Sequence, residues 1–168
     1  YDKMGIRLIK MGYGDETSEM PTLEGTQFTV KYYDGYYSKE NLPDIAKREW
    51  VIGIKKEGEQ YGAQLSDDYL ADPLSDGLYK DPNGQTILPY GTITIQETKP
   101  AAGYTLKGYL KDEKGNVVAK DGEIFVSQVN RKDGTVKLEG GNQYTAEDMP
   151  VEGSIKIKKF DTDGVTPL

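Results

Sequence analysis

One stretch of alternating apolar and polar residues constrains the fold more than any other part of this sequence. The run from Gly91 to Thr98 reads GTITIQET and precedes a segment rich in proline and glycine, which predicts a β-strand that ends in a turn. Successive strand side chains point to opposite faces, so Ile93, Ile95 and Glu97 share the apolar face. A carboxyl group buried there must be protonated or paired. The alternative is a strand end at which the acid reaches solvent.

Short alternating runs separated by Gly, Pro, Asn and Asp recur along the chain, which is typical of an all-β sandwich or barrel. Strands are predicted over residues 6–10, 25–33, 49–56, 91–98, 105–110, 117–119, 123–129 and 135–138. Turns are predicted at 112–116 and 132–134, and one helical turn at 42–47. Residues 57–89 predict loops with one or two short strands. No long helix is expected.

The composition limits the chemistry that this chain can carry. Its 168 residues include no cysteine and no histidine, which excludes disulfides, thiol nucleophiles, imidazole bases and the commonest zinc ligands. Carboxylates, lysine, tyrosine and hydroxyl groups remain. The net charge of -7 argues against binding to nucleic acid or to an anionic membrane surface. No apolar run has the length of a transmembrane helix or a signal peptide, so any targeting or anchoring segment is expected outside this sequence.

The segment from Ile93 to Tyr104, ITIQETKPAAGY, resembles the strand that carries the catalytic glutamate in Cna B-type and SpaA-like domains of Gram-positive surface proteins. The resemblance implies an immunoglobulin-type β-sandwich with Greek-key topology and about seven or more strands. It also implies an intramolecular isopeptide bond between a lysine of the first strand and an asparagine or aspartate of the last. Glu97 stands where the family has the glutamate that promotes this bond. No cofactor and no metal are implied.

Lys10 matches the lysine of this family. It follows Ile6 and Leu8 on the same face of the first predicted strand, in the family's pattern of apolar-x-apolar-x-Lys. The alternative is a surface lysine whose ammonium group reaches water past the apolar residues.

Asp148 matches the acceptor position at the end of the domain. The segment from Asp148 to Gly153, DMPVEG, resembles the closing Asn-x-Pro-x-x-Gly of the family, with aspartate in place of the more usual asparagine. Aspartate is chemically competent because it loses water where asparagine loses ammonia. Alternation places Tyr144, Ala146 and Asp148 on one face. Asn142 is the fallback acceptor, although its spacing to the proline departs from the motif.

An apparent internal repeat sets the predicted domain boundary. Residues 153–168 begin GSIKIKKFD and echo the opening GIRLIK, which places Lys159 where Lys10 stands. We therefore predict one domain over residues 1–152 and, over 153–168, the first strand of a following similar module. Lys159 would be the candidate cross-link lysine of that module. The alternative is chance similarity between two amphipathic strands.

These resemblances imply a structural stalk or repeat module of an adhesin or pilin on the extracellular, cell wall-anchored surface. Its expected partners are neighbouring modules of the same protein. In a dry site Glu97 would polarise the Asp148 carbonyl, accept a proton from the Lys10 nitrogen and help water to leave. Such a domain reacts once and is not an enzyme with turnover.

Other functions are compatible with parts of the sequence. The principal alternative is a ligand-binding adhesin module, with Tyr32, Tyr33, Tyr36, Tyr37 and Trp50 forming a patch for a host matrix protein or a glycan. A glycosidase would need two acids across a cleft, and no such pair stands out. Residues 161–164 begin like a calcium loop but lack its later ligands.

Overall fold

Strands make up most of the regular structure in the computed structural model, which describes residues 7–12, 22–132, 135–138 and 141–150. The described residues form eleven strands and two short 3-10 turns, Lys39–Asn41 and Asp67–Tyr69. The strands are β1 (Arg7–Gly12), β2 (Gln27–Tyr33), β3 (Arg48–Gly53), β4 (Lys55–Glu57), β5 (Gln60–Gln64), β6 (Gly91–Lys99), β7 (Tyr104–Lys111), β8 (Val117–Lys120), β9 (Phe125–Lys132), β10 (Thr135–Leu138) and β11 (Gln143–Pro150). The prediction of an all-β fold is confirmed.

Two sheets form a sandwich-like arrangement. The six-stranded sheet has the order β4-β5-β1-β11-β7-β8, and the five-stranded sheet has the order β10-β9-β6-β2-β3. In the six-stranded sheet, β1 runs parallel to β11 on one side and antiparallel to β5 on the other. The first and last described strands are therefore neighbours at the centre of one sheet, as a bond between a lysine of the first strand and an acceptor of the last would require.

The core lies between the inner faces of the two sheets. Its largest fully buried apolar side chains are Trp50, Tyr144, Phe28, Leu8, Ile52, Leu88, Ile93 and Ile95. They come from strands of both sheets, with Leu88 from the segment before β6. Burial of this much apolar surface is the main term that stabilises the sandwich. Lys10 is also among the largest fully buried side chains.

Two predictions about local structure are wrong. The helical turn expected at 42–47 does not form; the 3-10 turn ends at Asn41, and Leu42 is extended because the ring of Pro43 disfavours a helical conformation at the preceding residue. The single strand expected at 49–56 is two strands, β3 and β4. Ile54 separates them and donates its backbone N–H to the Thr26 carbonyl at 3.0 Å, where the chain crosses from one sheet to the other.

Several predicted features lie outside the described residues. They are the domain boundary after residue 152, the repeated segment 153–168 with Lys159, the calcium-like loop at 161–164, the start of the first strand at Ile6 and part of the turn at 132–134. Among the described residues, no helix has the length and apolar character needed to cross a membrane.

Candidate functional site

Three strands from both sheets bring together the ionisable residues that the sequence singles out. Lys10 lies on β1 and has Ala146 of β11 as its cross-strand partner, two residues before Asp148. Because side chains alternate along each strand, Lys10, Ala146 and Asp148 all point into the sandwich. Glu97 enters from β6 in the facing sheet. The three residues therefore meet between the sheets.

The distances within this triad are short. Lys10 Nζ lies 2.9 Å from Asp148 Oδ2 and 3.8 Å from Glu97 Oε1. The Nζ–Oδ2 contact has hydrogen-bonding length but lacks hydrogen-bonding angles, so it is a close contact between charged groups. The exposed fractions of the Lys10, Asp148 and Glu97 side chains are 0%, 3% and 10%. The amine and the carboxyl group touch without competition from solvent.

The surroundings of Glu97 change its protonation. Burial, followed by a hydrogen bond and a charge interaction with Asp148, raises its pKa to about 9, and the nearby Lys10 amine opposes this shift only in part. The side chain is therefore a neutral carboxylic acid at neutral pH. A protonated carboxyl group can donate a hydrogen bond to a carbonyl oxygen, which a carboxylate cannot do.

Phe28 supplies the aromatic wall of the site. It is the cross-strand partner of Glu97 in the β2–β6 pair and is almost fully buried. Phe28, Glu97, Asp148 and Gly108 line a cavity of about 20 Å³, enough for roughly one water molecule. The sequence alone does not identify Phe28 as a neighbour of Glu97, because that pairing depends on the register of β2 against β6.

Asn142, the fallback acceptor, lies elsewhere. Its side-chain Oδ1 accepts a hydrogen bond from the Leu138 backbone N–H at 2.8 Å, and its backbone carbonyl accepts one from Arg7 N–H at 2.8 Å. Asn142 therefore sits at the beginning of the β1–β11 pair and supports the turn that enters β11. The structure places Asp148, and not Asn142, beside Lys10.

The proposed tyrosine patch does not form as expected. Tyr32, Tyr33 and Trp50 are buried, because Tyr32 and Trp50 point into the core and the ring of Tyr33 packs against that of Tyr37. Tyr37 folds back over β6, where its backbone N–H donates to Thr92 Oγ1 at 3.0 Å. Tyr36 is the only one of the five that is mostly exposed. A broad aromatic surface built from these five residues is ruled out.

No group of three or more acidic side chains in the described part of the chain is arranged to hold a metal ion. Comparison with models of known protein families gives no match, and comparison with curated proteins gives no match either.

Proposed function

We propose that this chain is a structural module of an adhesin or pilin at a bacterial cell surface, stabilised by an isopeptide bond that forms on its own between Lys10 and Asp148. The observation that carries the proposal is the buried contact of 2.9 Å between Lys10 Nζ and Asp148 Oδ2, with Glu97 alongside. Buried charges of this kind are expensive in a folded protein. Condensation to an amide removes both of them.

The reaction is a simple condensation. The Lys10 amine attacks the Asp148 carbonyl carbon, so that an N–C bond forms and one C–O bond breaks. The lysine nitrogen gives up two protons, one to Glu97 and one to the departing oxygen, and Glu97 gives that oxygen its second proton, so that the oxygen leaves as water. Glu97 acts as the acid when it donates its proton to the Asp148 oxygen, and as the base when it takes a proton from the nitrogen. It ends the reaction protonated, as it began.

The role of the bond follows from its position. It joins the first described strand to the last, so most of the domain lies within a covalently closed loop. Closing a loop of about 140 residues lowers the entropy of the unfolded chain, which is worth about 4–5 kcal/mol by analogy with the chain-entropy treatment of disulfides. A chain without cysteine gains in this way the resistance to force and proteolysis that an extracellular stalk needs. Its partners are neighbouring modules of the same surface protein.

Intact-mass measurement of the denatured protein tests this proposal. The wild type should be lighter than its sequence mass by one water molecule, and peptide mapping should recover a branched fragment that joins Lys10 to Asp148. Glu97→Ala, Asp148→Ala and Lys10→Met should each keep the full mass, because they remove the proton carrier, the acyl group and the amine respectively.

Glu147→Ala is the matched control. Glu147 precedes Asp148 on β11, points to the other face and pairs with Lys111 at 3.6 Å. The control should lose water as the wild type does. Full sequence mass in the wild type would overturn the proposal, and loss of ammonia in place of water would move the acceptor to an asparagine.

A further inference from the structure

The chain makes a sharp corner between β8 and β9, where it leaves the six-stranded sheet for the five-stranded sheet. The corner consists of Asp121 and Gly122, with φ angles of 55° and 80°. Left-handed backbone is uncommon for a residue with a side chain, and aspartate is among the few types that tolerate it. The corner thus has a backbone conformation that is unfavourable for most residue types.

Asp121 binds β7 through two hydrogen bonds to one residue. Its backbone N–H donates to the Gly108 carbonyl at 2.9 Å, and its side-chain Oδ1 accepts from the Gly108 N–H at 3.1 Å. Gly108 is the cross-strand partner of Asp148, and the ladder between β7 and β11 becomes irregular directly after that pair. The corner therefore fixes the piece of backbone that lies opposite the acceptor.

Gly122 binds β6 beside the catalytic acid. Its carbonyl accepts a hydrogen bond from Gln96 Nε2 at 2.9 Å, and Gln96 immediately precedes Glu97. The regular pairing of β6 with β9 ends one residue earlier, at Ile95 and Phe125. At Gln96 the corner thus replaces the strand pairing that holds the rest of β6 to β9.

We propose that Asp121 is a positioning residue for bond formation, which rests on the proposed function above. The corner ties the strand opposite Asp148 to the strand that carries Glu97, and so sets the spacing of the two carboxyl groups across the sandwich. Asp121, Gly122, Glu97 and Asp148 also line the same small cavity. Proton transfer from Glu97 requires that the two carboxyl groups stay within hydrogen-bonding distance of each other.

Refolding kinetics distinguish a role of Asp121 in positioning the reacting groups from a role in folding. Unfolded chain, isolated in denaturant at full sequence mass, is diluted into buffer. Folding is followed by the fluorescence of Trp50, the single tryptophan, which is fully buried. Bond formation is followed by the loss of one water in samples quenched at intervals. If Asp121 had a merely structural role, its substitution would change the rate of folding seen by Trp50 fluorescence. If Asp121 positions the reacting groups, its substitution changes the rate at which water is lost.

Asp121→Ala should fold but form the bond about 10- to 100-fold more slowly, the penalty expected for a displacement of about 1 Å at a reacting centre. Asp121→Asn should react at close to the wild-type rate, because the amide oxygen can still accept from Gly108 and asparagine tolerates the left-handed backbone. Gln96→Met should also slow the reaction. When Gln96→Met is combined with Asp121→Ala, bond formation should be slowed by less than the product of the two separate factors, because both substitutions remove contacts of the same corner.

Asp112→Ala is the matched control. Asp112 makes the same kind of contact in the turn between β7 and β8, where its Oδ1 accepts from the backbone N–H groups of Lys114 and Asn116. This variant should react at the wild-type rate. If Asp121→Ala formed the bond at the wild-type rate, or if Asp112→Ala slowed bond formation equally, the positioning role would be overturned but the proposed function would not. Full mass in the wild type would instead overturn the proposed function and this role with it.

Discussion

At the scale of single residues, the three ionisable groups are an unfavourable arrangement that the proposed reaction resolves. A lysine and an aspartate with almost no solvent exposure lose their hydration. Their mutual attraction offsets that loss only when the geometry is very good. The close contact between Nζ and Oδ2 lacks hydrogen-bonding angles. An amide in the same place carries no charge, and only its one N–H and one carbonyl group need hydrogen-bond partners.

The pKa of Glu97 predicts how the rate of bond formation depends on pH. Burial raises this pKa to about 9, so the acid form is present at neutral pH and is lost as the pH rises through that value. Because the acid form polarises Asp148 in the proposed mechanism, the rate of bond formation should stay constant near neutral pH and fall above about pH 9. Refolding from denaturant in a series of buffers, with quenched samples weighed intact, measures this profile.

Folding itself must be checked at each pH in the same series, and the Trp50 signal serves that purpose. A rate that continues to climb above pH 9 would contradict the assignment. It would mean that removal of a proton from the amine limits the reaction and that the neutral form of Glu97 is not required.

Much of the site could be predicted at the residue scale because alternation along a strand decides which side chains share a face. The patterns around Leu8 and Lys10, and around Ala146 and Asp148, predict inward-pointing side chains, and both residues of the pair are buried. The same reasoning applied to Glu97. Alternation is local, so it needs no knowledge of the partner strand.

At the scale of strands, local pattern is no longer sufficient. Trp50, Ile52 and Ile54 alternate as one strand would, but Ile54 lies at the crossing between sheets, and nothing in the alternation marks that change. The pairing of Phe28 with Glu97 and of Gly108 with Asp148 depends on register between distant segments. Register is a property of the assembled sheet, so the aromatic wall and the corner at Asp121 could not be predicted from the sequence.

The close approach of β7 to β11 predicts a strong effect of Gly108→Ala. A Cβ atom at this position would lie 1.8 Å from the Glu147 carbonyl oxygen, and backbone cannot yield as a flexible side chain does. The free energy of unfolding should fall by about 3 kcal/mol, the upper end of typical overpacking costs. Bond formation should be slow or absent, because the strand that carries Asp148 must move. Chemical denaturation and intact mass measure the two effects.

Gly77→Ala is the control for this substitution. A Cβ atom at Gly77 would have no neighbour within 4 Å, and the residue does not have a positive φ. Its stability should match that of the wild type, and it should lose one water. Equal behaviour of the two variants would contradict the view that β7 and β11 are held too close for any side chain at Gly108.

At the scale of the whole molecule, the parallel pairing of β1 and β11 decides how a stretching force would act on the sandwich. The chain enters β1 at Arg7 and leaves β11 at Pro150, and the two strands run in the same direction. A force that pulls these two ends apart therefore shears the pair along its length. All hydrogen bonds between the strands then resist together, and the proposed bond between Lys10 and Asp148 lies within the same sheared region.

Single-molecule stretching from the two ends should therefore distinguish the wild type from Glu97→Ala. With the bond in place, residues between Lys10 and Asp148 cannot extend, because force passes from β1 to β11 through the amide. Without it, unfolding should release on the order of 450–500 Å of chain, at about 3.3–3.6 Å for each residue. Glu147→Ala, which leaves the triad intact, should behave as the wild type. An unfolding step of that length in the wild type would show that the load does not pass through a covalent link between the two strands.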